Sequence, residues 1–399
     1  MRYIGTFILF AVLFDLYSQD SYSQENYPRD SISHWQEIYH ESSENYQFDK
    51  AIEAAENWVK ADTSNTTALF ELSSIYAKAG IHNKALKTLQ ALLLIDSLHI
   101  PGLNQLARLH TANGTLDAAL NAYEKLMAAD STNGYFVKKA ASILLNQKRQ
   151  EYRTYIYMEK ALDLNPTDIN LRIDAARFFM DRRAFYPADT LLAGALLIDS
   201  THQAARLVSA QSAFLQKDYD HVVELLKGFD SDSEYFLVAA RYYGISLFYL
   251  EDYSRAIDVF KTISLLDEKA DYPFHYTGLS YVFLKKPAEA IEAFETAIEK
   301  ATSPNLAMYY QQLGQAQKSV GQFEKAIVNL KQAQFLNEDK EILFQLAESY
   351  DSYFADKKIA LKMYASYLEL DTVENENTLY ARSRMDEIAK ELHFKKKGE

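Results

Sequence analysis

Residues Ala91–His99 read ALLLIDSLH, and residues Ala195–Gln203 read ALLIDSTHQ. Their aspartates, Asp96 and Asp199, are 103 residues apart, one more than three steps of 34. The intermediate steps are also occupied: AADST places Asp130 on the first, and LNPTD places Asn165 on the second. A phrase that returns with such regularity marks a period. Periods of about 20–50 residues belong to chains built by stacking copies of one small unit.

A ladder of small residues carries the same period along the chain. Ala51, Ala85 and Ala119 are 34 apart, and Ala188 follows 69 later, leaving room for one slightly enlarged unit. Val222, Ala256 and Ala290 continue at 34, Ala326 comes after 36 and Ala360 after 34. Within a unit, apolar residues recur at spacings of three and four in two blocks, which predicts two amphipathic helices joined by a turn. Residues 307–339, AMYYQQLGQAQKSVGQFEKAIVNLKQAQFLNED, show the pattern most clearly. Tyr310, Leu313, Gly314 and Gln317 share one face, Gly321 marks the turn, and Ala326, Leu330 and Ala333 share the next face. Gly314 is expected where two helices approach closely, and Gly321 where a helix ends at positive φ. Gly244 and Gly278, and Gly80 and Gly114, occupy the same places. The Leu-Leu-Ile run of the repeated phrase is expected to pack between neighbours. The Asp-Ser pair is expected to form the turn and cap the next helix.

These residues resemble the tetratricopeptide repeat family. Its 34-residue unit has a large residue, Leu-Gly and an aromatic on a first helix, then Ala, an aromatic and Ala on a second, often closed by Pro. Residues 307–339 match as quoted. So does YYGISLFYLEDYSRAIDVFKTI, through Gly244, Tyr253, Ala256 and Phe260, and ALDLNP (Ala161–Pro166) matches the ending of the second helix. Ten repeats start near residues 32, 66, 100, 133, 169, 203, 237, 271, 307 and 340, so the resemblance covers 32–374. The fourth, containing NQKRQEYRTYIYMEKA, lengthens the turn, and the sixth, with Val222 and Gly228, is a weaker match. The resemblance implies an all-α fold, a right-handed superhelical solenoid of helix-turn-helix units. Residues 375–399, containing ENTLYARSRMDEIAKELHFKKK, read as an amphipathic helix that covers the open face of the last repeat, followed by a basic tail.

The composition agrees with a helical chain: 48% hydrophobic, 24% charged, with only 7 Pro and 12 Gly in 399 residues. A net charge of −13 speaks against a nucleic-acid binder, which would carry basic stripes. The one basic run is Lys395-Lys396-Lys397. The absence of cysteine removes disulfides, thiolate zinc sites and cysteine nucleophiles together. The first residues, MRYIGTFILFAVLFDLYSQD, combine Arg2 with an apolar core from Ile4 to Phe14. They read as a signal peptide, 1–18, with a cut after Ser18 or as late as Ser23, and then a polar leader, 19–31. The apolar run is too short to span a bilayer. A glutamine after the cut resembles exported proteins of the Bacteroidetes, which places the chain in the periplasm or outside the cell.

Nothing in the sequence assembles a catalytic centre. The nine histidines form no His-x-x-x-His or His-Glu-x-x-His pair, and there is no glycine-rich phosphate loop or Gly-x-Ser-x-Gly elbow. The expectation is a binding protein, not an enzyme, with no metal and no cofactor.

In the resembling family the first helices line a concave groove. The matching positions are polar in repeats 1, 3 and 5: Gln36, His40 and Glu44; Asn104, Gln105 and Arg108; Asp174, Arg177 and Asp181. A Lys/Asn/Arg clamp for terminal carboxylates does not assemble, because Asn104 and Arg108 lack the other basic members. Repeats 6 to 8 are apolar and aromatic instead, with Val208, Leu215 and Val282 among them. The expected partner groove is Arg177, Leu207, Gln211, Phe214, Arg241, Tyr242, Ile245, Phe248, Tyr249, His275, Tyr276, Leu279 and Phe283. A contiguous apolar patch on a wet face marks a covered surface, and aromatic residues and arginine dominate such contacts. Internal packing and self-association are the competing readings of the same residues. The expected partner is a protein or peptide segment; a polysaccharide held on tyrosine platforms is the alternative. Finally, Asp-Ser/Thr pairs followed by an apolar residue or Thr resemble O-glycosylation acceptors, at Ser31, Ser97, Ser131, Ser200 and Thr372.

Overall fold

The computed structural model describes residues 30–147, 151–301 and 304–398. The expected signal peptide, and the leader as far as residue 29, lie outside the described residues; so does the side chain of Ser31. Among the described residues the chain is all-α, with 21 helices and no strand. It divides into two compact units, residues 1–198 and 199–399. The first unit holds five helix pairs: α1 (Asp30–Glu44) and α2 (Phe48–Ala61), α3 (Thr66–Lys78) and α4 (His82–Ile95), α5 (Ile100–Ala112) and α6 (Leu116–Ala129), α7 (Gly134–Gln147) and α8 (Glu151–Leu164), α9 (Ile169–Met180) and α10 (Phe185–Ile198). The second unit holds α11 (Gln203–Leu215) and α12 (Tyr219–Leu226), α13 (Phe236–Tyr249) and α14 (Tyr253–Leu266), and α15 (Tyr272–Phe283) and α16 (Pro287–Lys300). It continues with α17 (Leu306–Ser319) and α18 (Phe323–Leu336), then α19 (Lys340–Tyr353) and α20 (Lys358–Leu370), and ends with α21 (Glu376–Gly398).

The small-residue ladder is the buried seam of the second helices. Ala51, Ala85, Ala119, Thr154, Ala188, Val222, Ala256, Ala290, Ala326 and Ala360 are all at most 1% exposed. Thr154 is the rung inside the 69-residue gap, 35 beyond Ala119 and 34 before Ala188. A search for alanine passes over it, although a threonine is small enough to sit where helices cross. The first helices come close at glycine. A β-carbon on Gly278 would lie 2.6 Å from the Phe294 ring, and one on Gly314 would lie 2.7 Å from Leu330. Between the two helices of eight hairpins the chain turns through the left-handed region. Gly80, Gly114 and Gly321 do so at φ of +76°, +73° and +76°. Tyr46, Arg183, Lys217, Glu251 and Lys285 take the same place without being glycine.

The repeated phrase resolves into a two-step turn. Asp96 ends α4 and its carboxylate accepts the Leu98 N–H at 3.1 Å. His99, three residues on, caps α5: its Nδ1 accepts the Gly102 N–H at 3.0 Å. In the second copy Asp199 accepts the Thr201 N–H at 2.9 Å, and His202 Nδ1 accepts the Ala205 N–H at 3.3 Å. Asn65 and Asp168 cap α3 and α9 in the same way. The cap is therefore the residue three beyond the aspartate, not the Asp-Ser pair itself. The Leu-Leu-Ile run also differs from expectation. Leu92 is buried, but Leu94 is 49% and Leu197 88% exposed. At 3.6 residues per turn only one side of a helix end can face its neighbours.

The second unit closes on α21. Ala381 and Ile388 are fully buried against a core that includes Tyr364 and Tyr367. Arg384 fixes this helix by donating from Nε and Nη2 to the Asp351 carboxylate at 2.7 and 3.1 Å, and Lys357 approaches the same group at 3.4 Å. Burial alone would push Asp351 up; the Arg384 hydrogen bonds and the charges of Arg384 and Lys357 outweigh it and hold the carboxyl below its ordinary range. At the C-terminal end of α20, hydrogen bonds from Lys340, Asn375 and Tyr367 hold the Asp371 carboxyl down to about 2.

Candidate functional site: an aromatic face on the second unit

Helices α13 and α15, FLVAARYYGISLFY and YPFHYTGLSYVF, are apolar nearly all round. A helix in one layer of a stack can bury only part of such a surface, and the rest is left as an aromatic face. Phe248 is its centre, with ring centroids 5.5 Å from Tyr276, 5.6 Å from Tyr253 and 5.7 Å from Phe283. Phe214 packs edge-on to Tyr242 at 5.0 Å. Toward solvent the rings pair face to face: Tyr219 on Tyr249 at 4.7 Å, and Tyr253 on Phe283 at 5.0 Å.

The expected groove residues separate into three groups. Leu207, Ile245 and His275 are only 5–6% exposed and belong to the core, so they present nothing to a partner. Their helical phase turns them toward the second helices, one residue away from the outer face. Phe214, Tyr242, Phe248, Tyr276, Leu279 and Gln211 are half-buried, and their inner edges pack internally. Tyr249 and Phe283 are 50% and 56% exposed. Arg241 is exposed with its guanidinium 4.8 Å from the Tyr272 ring centre. Arg177 lies in the first unit, on α9, exposed and 3.8 Å from Asp174. Sequence reasoning confined to first helices missed Tyr219 and Tyr253, which open α12 and α14. A signal for them exists: each stands two residues after a left-handed turn residue, Lys217 or Glu251.

Burial sets the protonation of this face. It raises the phenols of Tyr219, Tyr253 and Tyr276 above their ordinary value. It pushes the His275 imidazole down to about 4, with Gln312 and Asp271 offsetting only part of the effect. The face is therefore uncharged near neutrality apart from its rim. Among the described residues no cluster of histidine, aspartate and glutamate could hold a metal ion. No described helix is long and apolar enough to cross a membrane.

Beside the aromatic face, α15 and α17 enclose a groove of ≈ 360 Å³. Leu279, Val282, Phe294 and Ala316 form its apolar lining; Gln312, Gln315 and Ser319 are its polar residues, and Lys285 and Pro287 lie where α15 turns into α16. The first unit has a cleft of ≈ 530 Å³ between α3 and α5, lined by Phe70, Asn104, Gln105 and Arg108. Ser73 and Ser74 both donate to Gln105 Oε1, at 3.1 and 3.2 Å. Ser97, Ser131, Ser200 and Thr372 are all exposed, the first three in turns between hairpins and Thr372 just beyond α20.

Residues 307–340, α17 and α18, match the family pattern of the tetratricopeptide repeat. This hairpin is a tetratricopeptide repeat. The other hairpins share its buried rung, and most of those whose turn is described share its left-handed turn. No curated protein matches the chain. Among solved structures it is similar to the MamA protein, at 18% identity over 43% of this chain and 93% of that one, with a TM-score of 0.40. It is similar to the Cut9–Hcn1 hetero-tetramer of APC/C, at 11% identity over 90% and 96%, with a TM-score of 0.43. YrrB, described as a TPR protein with an unusual peptide-binding site, is 16% identical over 44% and 90%, with a TM-score of 0.39.

Proposed function

We propose that this chain is a non-catalytic scaffold that holds a segment of a partner protein on the first helices of its second unit. The observation that carries the reading is the row Leu215, Tyr249 and Phe283. These residues recur every 34 positions and are each at least half exposed. An apolar row repeated in register on three successive first helices is a surface built for cover. The adjoining groove offers a recess for a side chain, at the small end of the roughly 300–1,000 Å³ range of ligand sites. We place this scaffold outside the cytoplasm after loss of residues 1–18, with the exposed hydroxyls of Ser97, Ser131, Ser200 and Thr372 open to glycosylation.

The test is selection of random displayed peptides on the immobilised mature chain and on a Tyr249→Asp/Phe283→Asp variant. These two residues are chosen because half of each already faces water, so the variant should melt with the wild type. Peptides enriched on the wild type and lost on the variant are expected. Peptides held equally by both, or no enrichment at all, would end this reading. Export is read separately, from the N-terminal residue and intact mass of the protein isolated from its own host.

A further inference from the structure

We infer that the groove between α15 and α17 takes a segment carrying a bulky apolar side chain beside a carboxylate. The inference rests on the reading of the second unit as a segment-binding scaffold and names the chemistry of that segment. The apolar half of the requirement comes from Leu279, Val282, Phe294 and Ala316. These surfaces gain from losing water to a large side chain, at about 25 cal/mol per Å² buried.

The charged half comes from the turn after α15. Lys285 is both the left-handed residue of that turn, at φ +57°, and part of the groove lining. Its backbone conformation is set by the hairpin, so its stem leaves the chain at a fixed place. Lys286 follows it and stands at the N-cap position of α16 without a side-chain capping bond. Among the described residues neither lysine has an ion pair or a side-chain hydrogen bond. The lysine on the helix facing the groove, Lys318, is committed to Glu348 at 2.7 Å, whereas Lys285 at the groove itself is not. The acid near this corner is Glu289, in the first turn of α16, and it makes no ion pair with either lysine. The same turn position is Glu251 one hairpin earlier and Lys217 two hairpins earlier; what distinguishes Lys285 is that it lines the groove.

In a chain of net charge −13, Lys285 in the lining and Lys286 next to it in sequence form a local positive site on an acidic molecule. An acidic segment is attracted to that corner and repelled elsewhere. This fixes which way along the groove it lies and suppresses basic competitors. Gln315, exposed on α17, adds an amide group able to pair with a segment's backbone.

The experiment compares peptide selection on the wild type with selection on a Lys285→Glu/Lys286→Glu variant, followed by fluorescence anisotropy with one synthesised peptide from the winning pool. The wild type is expected to enrich a large apolar residue next to Asp or Glu. The charge-reversed chain is expected to bind that peptide about tenfold more weakly, and added salt should weaken the wild-type complex. Should the double variant melt below the wild type, Lys285→Gln replaces it with the same expected direction. Peptides enriched without acidic preference, or bound equally by the reversed chain while lost on Phe283→Asp, would overturn this inference and leave the scaffold reading standing. No enriched peptide would overturn both. Sedimentation showing wild-type self-association that Phe283→Asp abolishes would overturn the inference in favour of a second copy of this chain as the occupant.

Discussion

Gly278 is a residue whose smallness can be measured. A β-carbon there would sit 2.6 Å from the Phe294 ring, itself fully buried, so ring or helix must move. Gly278→Ala is expected to cost about 1–3 kcal/mol, read from the urea midpoint at unchanged slope. Glu251 is the converse: a side chain held at φ +63° where sister turns carry glycine. A left-handed L-residue costs about 1–2 kcal/mol, and glycine's extra backbone entropy returns roughly half of that. Glu251→Gly should therefore raise stability by about 0.5–1 kcal/mol in the same measurement. Both glycine roles were legible, because one follows from helix spacing and the other from turn position. His275 was not. It was expected to line a groove, and it is a core residue whose imidazole burial pushes down to about 4, from 6.5. The unfolded chain takes up this proton first as pH falls. Its contribution to stability is thus intact above about pH 6.5 and is lost between there and about pH 4, to a total of about 3 kcal/mol. His275→Gln should flatten the dependence of unfolding free energy on pH across that window. A slope identical to wild type would mean the imidazole is not buried as described.

At the scale of helices, the caps and the closing latch show what a local pattern carries. That α21 would cover the last hairpin follows from its amphipathic spacing, which any reading of period 3.6 detects. The ion pair that fixes it does not follow, since Asp351 and Arg384 are 33 residues apart and meet only when α19 and α21 are placed. The N-cap histidines escaped for a different reason. Imidazole is an uncommon cap, so the neighbouring aspartate drew the assignment. Removing one partner of a mostly buried pair costs more than the pair contributes. Asp351→Ala leaves Arg384 with Glu387 and Glu391, at 2.6 and 3.3 Å, both on α21 itself, so the ion pair that ties α21 to α19 is gone. Arg384 keeps some solvent, so the expected loss is about 2 kcal/mol. It should be confined largely to α21, where amide exchange over 381–388 should quicken before any change in α11–α16. Uniform quickening across the second unit would show that the latch supports more than its own helix.

Over the whole molecule, helices pack mainly on their neighbours and next neighbours in sequence. The fold class was legible for that reason. A repeated local unit needs no long-range information, and its alanine rungs record the seam directly. The exposed face was harder to read, because the exposure of a first-helix residue depends on what flanks it in the adjoining hairpins. Tyr249 and Phe283 stand out, whereas Ile245 and His275, four and eight residues before them, are enclosed. Such neighbour-to-neighbour packing makes stability a sum of local terms, and damage should spread only as far as adjoining hairpins. Phe260 gives the sharpest test. It is fully buried, stacks on Tyr276 at 5.3 Å and fills the space left by Gly244. Phe260→Ala should cost about 3–5 kcal/mol through the cavity and lost burial. Hydrogen exchange followed helix by helix should show protection falling most in α13–α15, less in α11 and α18, and least in α2–α6. An even loss from α2 to α20 would mean that the chain unfolds as one cooperative body and that the repeats are not independent terms. A graded loss would mean that the aromatic face can loosen, and admit a partner segment, while distant hairpins stay formed.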